Sequence, residues 1–158
     1  MTNYNQLHRK MNLIFFTDSI LQLVRIYRII KNEQGNAILI GLGGSGRNSL
    51  SQLCSFIRGY KIFNIELTNS YNETNWKDDL RRLLKQTGAK NIPTVLMVSD
   101  NNIKKESYLE DINNILNTGE VPNLMAFEDL EEIFSEMRII VKERGIFESR
   151  ENMQRLFV

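Results

Sequence analysis

The run Gly41-Leu42-Gly43-Gly44-Ser45-Gly46-Arg47-Asn48-Ser49-Leu50 constrains this chain more than any other feature. It directly follows the apolar stretch Ala37-Ile38-Leu39-Ile40 and directly precedes a helical pattern. A buried strand, a glycine-rich turn and a helix N-terminus in that order form a phosphate cradle. Consecutive backbone N–H groups point into such a loop, and the helix dipole favours negative charge there. The competing reading is a tight strand-to-helix turn in which the glycines hold no ligand.

Measured against the pattern G-x-x-x-x-G-K-[ST], Arg47 stands where the lysine belongs and Asn48 where the hydroxyl belongs. Arginine keeps the positive charge and forks onto phosphate oxygens, but its planar head is bulkier than a lysine ammonium. Asn48 offers magnesium only a weak carbonyl, whereas Ser49, one residue on, carries a hydroxyl. Either residue is a candidate for the metal, and both departures predict binding in preference to hydrolysis.

The rest of the composition narrows the partners. A chain of 158 residues with 42% apolar content fits one domain or part of one. A net charge of +1, with acids and bases interspersed, announces neither nucleic acid nor an anionic membrane surface. The single cysteine, Cys54, excludes an internal disulfide and a cysteine-based zinc site, and it reads as a small core residue in a reducing compartment. No apolar run approaches the roughly 18 residues of a membrane span, and the polar start lacks a signal core, so a cytosolic protein is expected. His8 is the only histidine and lies in residues 1–10, a segment expected to be a flexible lead-in.

Apolar periodicity predicts the elements. A helix capped by Thr17 or Asp18 carries Ile20, Leu23, Val24, Tyr27 and Ile30. Strand 37–40 and the glycine loop follow, then a helix from Arg47 to Arg58 burying Leu50, Leu53, Cys54 and Ile57. Lys61 to Leu67 reads as a second strand and Trp76 to Leu84 as a helix ended by Gly88. Thr94 to Val98 reads as a third strand, apolar on both faces. Helices follow over 106–117 and 127–144, and a last one is capped by Ser149. Alternating strands and helices define an α/β fold with a parallel sheet. Asp100, just past the third strand, stands where phosphate-loop enzymes place the acid that holds magnesium. Turn chemistry also favours aspartate there, and no glutamate adjoins it, so a two-carboxylate catalytic set is incomplete.

Taken together, the segments MNLIFFTDSI from Met11, GNAILIGLGGSGRNSL from Gly35, IELTNSYN from Ile65 and YLEDINNILNTGEVPNL from Tyr108 resemble the axonemal dynein heavy chains. GIFESRENMQRLFV from Gly145 is similar too, and the likeness is to the fourth of the six AAA+ modules of the motor ring. The resemblance covers nearly the whole chain. It implies a P-loop NTPase fold of three layers, incomplete at its C-terminal end, because the sensor strand, helical lid and arginine finger would lie beyond residue 158. It places Met11, Asn12, Leu13 and Ile14 beside an adenine, and Gly43, Gly44, Ser45, Gly46, Arg47, Asn48 and Ser49 around the phosphates of ATP or ADP. Ser49 and Asp100 would meet Mg2+, with Asp100 also the candidate catalytic acid. Neighbouring AAA+ modules and the linker of the same heavy chain are the implied partners, the 118–123 loop facing the linker. The microtubule is implied only through the complete motor in a cilium or flagellum.

Three functions follow in order. The first is a nucleotide-binding, regulatory motor module with weak or no hydrolysis. The second is a structural ring module whose degraded loop binds nothing, a reading that Arg47 and Asn48 favour. The third, a small phosphotransferase, needs an arginine-rich lid, and the 119–123 loop has no arginine.

Overall fold

The computed structural model describes residues 2–8, 10–32 and 34–157. The chain forms two compact units, Met1–Ile62 and Phe63–Val158, with the boundary inside a strand.

The first unit contains α1 (Thr2–Leu7), α2 (Thr17–Lys31) and α3 (Arg47–Arg58). A helix thus stands at Thr2–Leu7, within the start expected to be a flexible lead-in. Tyr4 anchors it, buried and edge-on to Phe56 of α3 at 5.2 Å. Helix α2 begins at the predicted place by an unpredicted device. Neither Thr17 nor Asp18 is the cap; the Ser19 hydroxyl instead accepts from the Phe16 N–H at 2.9 Å. Helices α2 and α3 bury Ile26, Leu50 and Cys54 between them, with Leu13, Leu23, Tyr27 and Ile30 around the rim. Ile57, expected on that face, is half exposed. Helix α3 has the predicted bounds because a glycine in left-handed conformation stands at each end, Gly46 at φ 78° and Gly59 at φ 70°.

Burial pushes the Cys54 thiol up from 9.0 to about 11, while its Sγ donates to the Leu23 carbonyl at 3.2 Å. A thiol raised in the folded state favours it fully below the unfolded value of 9.0, and that contribution is lost as pH rises towards about 11. Alkylation by iodoacetamide at pH 8 should accordingly run at least ~100-fold slower in the folded chain than in urea. Comparable rates in the two states would show that Cys54 is not buried.

The predicted strand Ala37–Ile40 is absent. The segment belongs to no strand, with Ile38 and Ile40 about nine-tenths exposed, at 89% and 92%. Apolar content alone does not make a strand, since its N–H and C=O groups need a neighbouring ladder. Among the described residues the sheet consists of β1 (Lys61–Asn64) and β2 (Thr94–Met97) in parallel, two strands where three were expected and each shorter than predicted.

The second unit adds α4 (Glu73–Leu84), a π-helical turn over Lys85–Ala89, a 3-10 turn over Asp100–Asn102, and helices α5 (Glu106–Thr118), α6 (Phe127–Glu143) and α7 (Arg150–Phe157). Two apolar clusters organise it. Trp76 and Leu80 of α4 pack with Tyr108 of α5, Ile65, Tyr71, Val121 and Leu124, flanked by Phe63 of β1, Leu96 of β2 and Val98 just past β2. Ile133, Phe134, Met137 and Val141 of α6 pack with Ala89, Met153 and Phe157. Gly88 does not end α4 as predicted. It lies inside the π-helical turn, where a bulkier residue would strike Phe157. Ser149 does cap α7, its Oγ accepting from the Asn152 N–H at 3.2 Å.

Candidate functional site

The glycine loop of the first unit turns on two residues that need positive φ, Gly44 at 79° and Gly46 at 78°. The Ser45 N–H donates to the Leu42 carbonyl at 3.3 Å, and the Leu50 N–H donates to the Gly46 carbonyl at 2.8 Å, opening α3. Gly46 provides no side-chain cap, and the first turn of α3 contains no acid. The leading N–H groups at Arg47, Asn48 and Ser49 are thus left facing outward from an uncapped, positively polarised end. A Cβ at Gly43, Gly44 or Gly46 would meet nothing within 4 Å, so the outer side of the loop is open. At Gly41 the space is tighter: a Cβ there would lie 3.1 Å from Ser45 Oγ, and the Arg47 guanidinium donates to the Gly41 carbonyl. The donors present suit an anion, and the open face admits one.

Residues Met11 to Ile14 belong to the same unit. Asn5 holds Met11 on both sides, Oδ1 accepting from the Met11 N–H at 2.8 Å and Nδ2 donating to its carbonyl at 3.3 Å. Leu13 packs into the cluster of Leu50 and Cys54, the α3 residues just beyond the loop. Asn12 and Ile14 are exposed. The sequence does not single out Asn5, because a side chain that mimics a strand partner carries no periodic signal.

Asp100 belongs to the second unit, where it opens the 3-10 turn with its side chain exposed. Its carbonyl accepts from the Ile103 N–H at 3.1 Å. Among the described residues no group of three or more histidines, cysteines or carboxylates could hold a metal. Ser49 belongs to the first unit and Asp100 to the second. The second unit also contains a recess of about 540 Å³ lined by Phe63, Glu66, Tyr71, Asp78, Asp79 and Arg82. None of the sequence-predicted site residues lines it. Part of its polar wall is already paired: the Tyr71 hydroxyl donates to Asp79 at 2.6 Å, Arg82 pairs with Asp79, and burial holds the Tyr71 hydroxyl above its usual range.

An α/β fold with a small parallel sheet and a glycine loop opening a helix is that of part of an AAA+ P-loop NTPase. The chain belongs to the dynein heavy chains: residues 11–158 match the family described as P-loop containing dynein motor region D4. It is 41% identical over 152 residues to human dynein axonemal heavy chain 1, covering 96% of this chain and 4% of that protein. It is 42% identical over 142 residues to the Chlamydomonas reinhardtii dynein-1-beta heavy chain of the flagellar inner arm I1 complex, covering 90% and 3% respectively. Human dynein axonemal heavy chain 8 is 45% identical over 141 residues, covering 88% and 3%. The chain thus spans only about a twenty-fifth of the length of these relatives. No helix among the described residues is long and apolar enough to cross a membrane.

Proposed function

We propose that this chain is a nucleotide-binding, regulatory module of a dynein motor, with weak or no hydrolysis of its own. The observation that carries the reading is the uncapped N-terminus of α3 behind two left-handed glycines, with Arg47 in its first turn. Gly43 to Ser49 take the phosphates of ATP or ADP, Met11 to Ile14 take the base, and Ser49 and Asp100 take Mg2+. Arginine in place of lysine and the missing glutamate beside Asp100 support retention of nucleotide over turnover. The partners are neighbouring AAA+ modules and the linker of the heavy chain, the setting is the axoneme of a cilium or flagellum, and microtubules are reached through the complete motor.

A second reading is a structural ring module that binds no nucleotide. The contact of Arg47 with the Gly41 carbonyl favours it, because the cation that should meet phosphate is engaged by its own loop. Binding of fluorescent ADP and ATP separates the two. The nucleotide reading expects micromolar, magnesium-dependent binding that Arg47→Ala weakens ~10–100-fold, the worth of one charge-assisted contact. Absence of binding in a chain shown by circular dichroism to be folded would leave the structural module.

A further inference from the structure

The net charge of +1 conceals an uneven distribution along the chain. Residues 1–62 contain eight lysines and arginines against two acids, whereas residues 63–158 contain twelve against seventeen. Every ion pair among the described residues lies in the second unit. The first unit is therefore strongly basic, and part of that surplus gathers on α2. One side of this helix turns Leu23, Ile26, Tyr27 and Ile30 towards Leu50 and Cys54 of α3. At 3.6 residues per turn the opposite side holds Ile20, Leu21 and Val24 in its first half and Arg25, Arg28 and Lys31 in its second, all of them exposed. Phe16, at the start of the helix, extends the apolar end and is 60% exposed. The one acid of α2, Asp18, stands in the first turn, away from the cations. A merely solvated side would carry polar residues where Ile20, Leu21 and Val24 stand. An exposed apolar patch that runs into unpaired cations marks a surface for association.

We propose that the exposed stripe of α2 docks an acidic amphipathic helix of a partner protein, laid antiparallel, with carboxylates in its N-terminal half and leucine-like residues in its C-terminal half. The direction follows from the order of residues on α2. Antiparallel seating sets apolar against apolar and carboxylates against Arg25, Arg28 and Lys31, and it places the acids of the partner at its own positive helix end. A helix that lies on an anionic membrane has its apolar and basic residues on opposite sides. Here the fully apolar side faces α3, and the exposed stripe divides along its length, so lipid would meet cations and aliphatic groups at one depth. The proposal stands apart from the nucleotide-site reading, since it uses none of the loop residues.

The test is fluorescence anisotropy of two labelled synthetic peptides with the full chain, each about 18 residues long and shown to be helical by circular dichroism. One has glutamates along one side of its first half and leucines along that side of its second, and the other has the same composition in reverse order. The first should bind with a micromolar Kd that weakens as salt rises, and the reversed peptide at least ~10-fold more weakly. Arg25→Glu/Arg28→Glu should weaken the first peptide ~10-fold or more, and a peptide with lysines for its glutamates should bind that variant better than it binds the wild type. Should the double variant lose its native circular dichroism, Val24→Asp replaces it and should weaken the first peptide by a similar factor. Equal binding of the two peptides, or binding that neither variant changes, would overturn the proposal. Failure of both peptides to bind the folded wild type would overturn it as well. Binding instead to vesicles of phosphatidylcholine with about 30% phosphatidylserine, lost in the double variant, would assign the stripe to a membrane. Self-association of the chain in sedimentation velocity, abolished by Val24→Asp, would assign it to a second copy and overturn the proposal.

Discussion

Trp76→Ala is expected to destabilise the second unit by ~3–5 kcal/mol, the largest effect of any single side-chain truncation here. The indole is fully buried and stacks on Tyr108 with ring centroids 4.4 Å apart and planes 2° from parallel. Its Nε1–H donates to Asp111 Oδ2 at 2.9 Å, and the other carboxylate oxygen of Asp111 meets Lys77 Nζ at 2.9 Å. Truncation leaves a cavity between α4 and α5, strips Tyr108 of its partner and leaves a buried carboxylate with one donor fewer. Trp76→Phe keeps most of the volume and removes the N–H, so about 1–3 kcal/mol of the loss should remain. Urea denaturation followed by far-ultraviolet circular dichroism measures both variants. A midpoint for Trp76→Ala within error of wild type would mean that the α4–α5 contact does not support the unit.

The second large effect is expected from Gly88→Ala. A Cβ at this position would stand 2.5 Å from Phe157 Cδ2 and 2.8 Å from the Phe157 carbonyl oxygen. The ring can turn, but the carbonyl belongs to α7, so the helix itself must move. Overpacking of this kind costs ~1–3 kcal/mol, and lifting α7 also exposes part of Met153 and Phe157. Limited proteolysis should then cut within 146–157 well before the rest of the second unit. The double variant Gly88→Ala/Phe157→Ala should recover part of the stability lost on adding the two single changes, because the methyl then occupies space the ring vacated. Strict additivity would show that the two residues do not meet.

Much of this fold was legible in the sequence, and the legible parts have one character. Helix α3 was predicted from Arg47 to Arg58 and has those bounds, and helices α5 and α6 differ from expectation by one residue each. The glycines at 44 and 46 adopt the positive φ that a tight turn into a helix requires. The misses also share a character. Ala37–Ile40 has the composition of a buried strand and no partner in the sheet. Ile57 follows the apolar period of α3 yet is half exposed. Gly88 looks like a helix stop but accommodates Phe157 of α7, 69 residues later. Asn5 and Asn102 read as unremarkable polar residues, yet Asn5 holds Met11 and the buried Asn102 joins Ser99 to the Ile65 carbonyl.

The sequence by itself determined most of the helices, the glycine ends of α3 and the glycine loop before it, along with the dynein likeness carried by strings of residues. These depend on hydrogen bonds four residues apart and on backbone angles that one residue type permits. Only the tertiary structure decided which apolar segment gains a strand partner, which carboxylates are buried and which amides anchor the Asp100 turn. Those outcomes rest on contacts between residues dozens of positions apart, such as Asn102 with Ile65 and Trp76 with Asp111. No local pattern encodes them, because the free energy of each depends on what the rest of the chain places opposite.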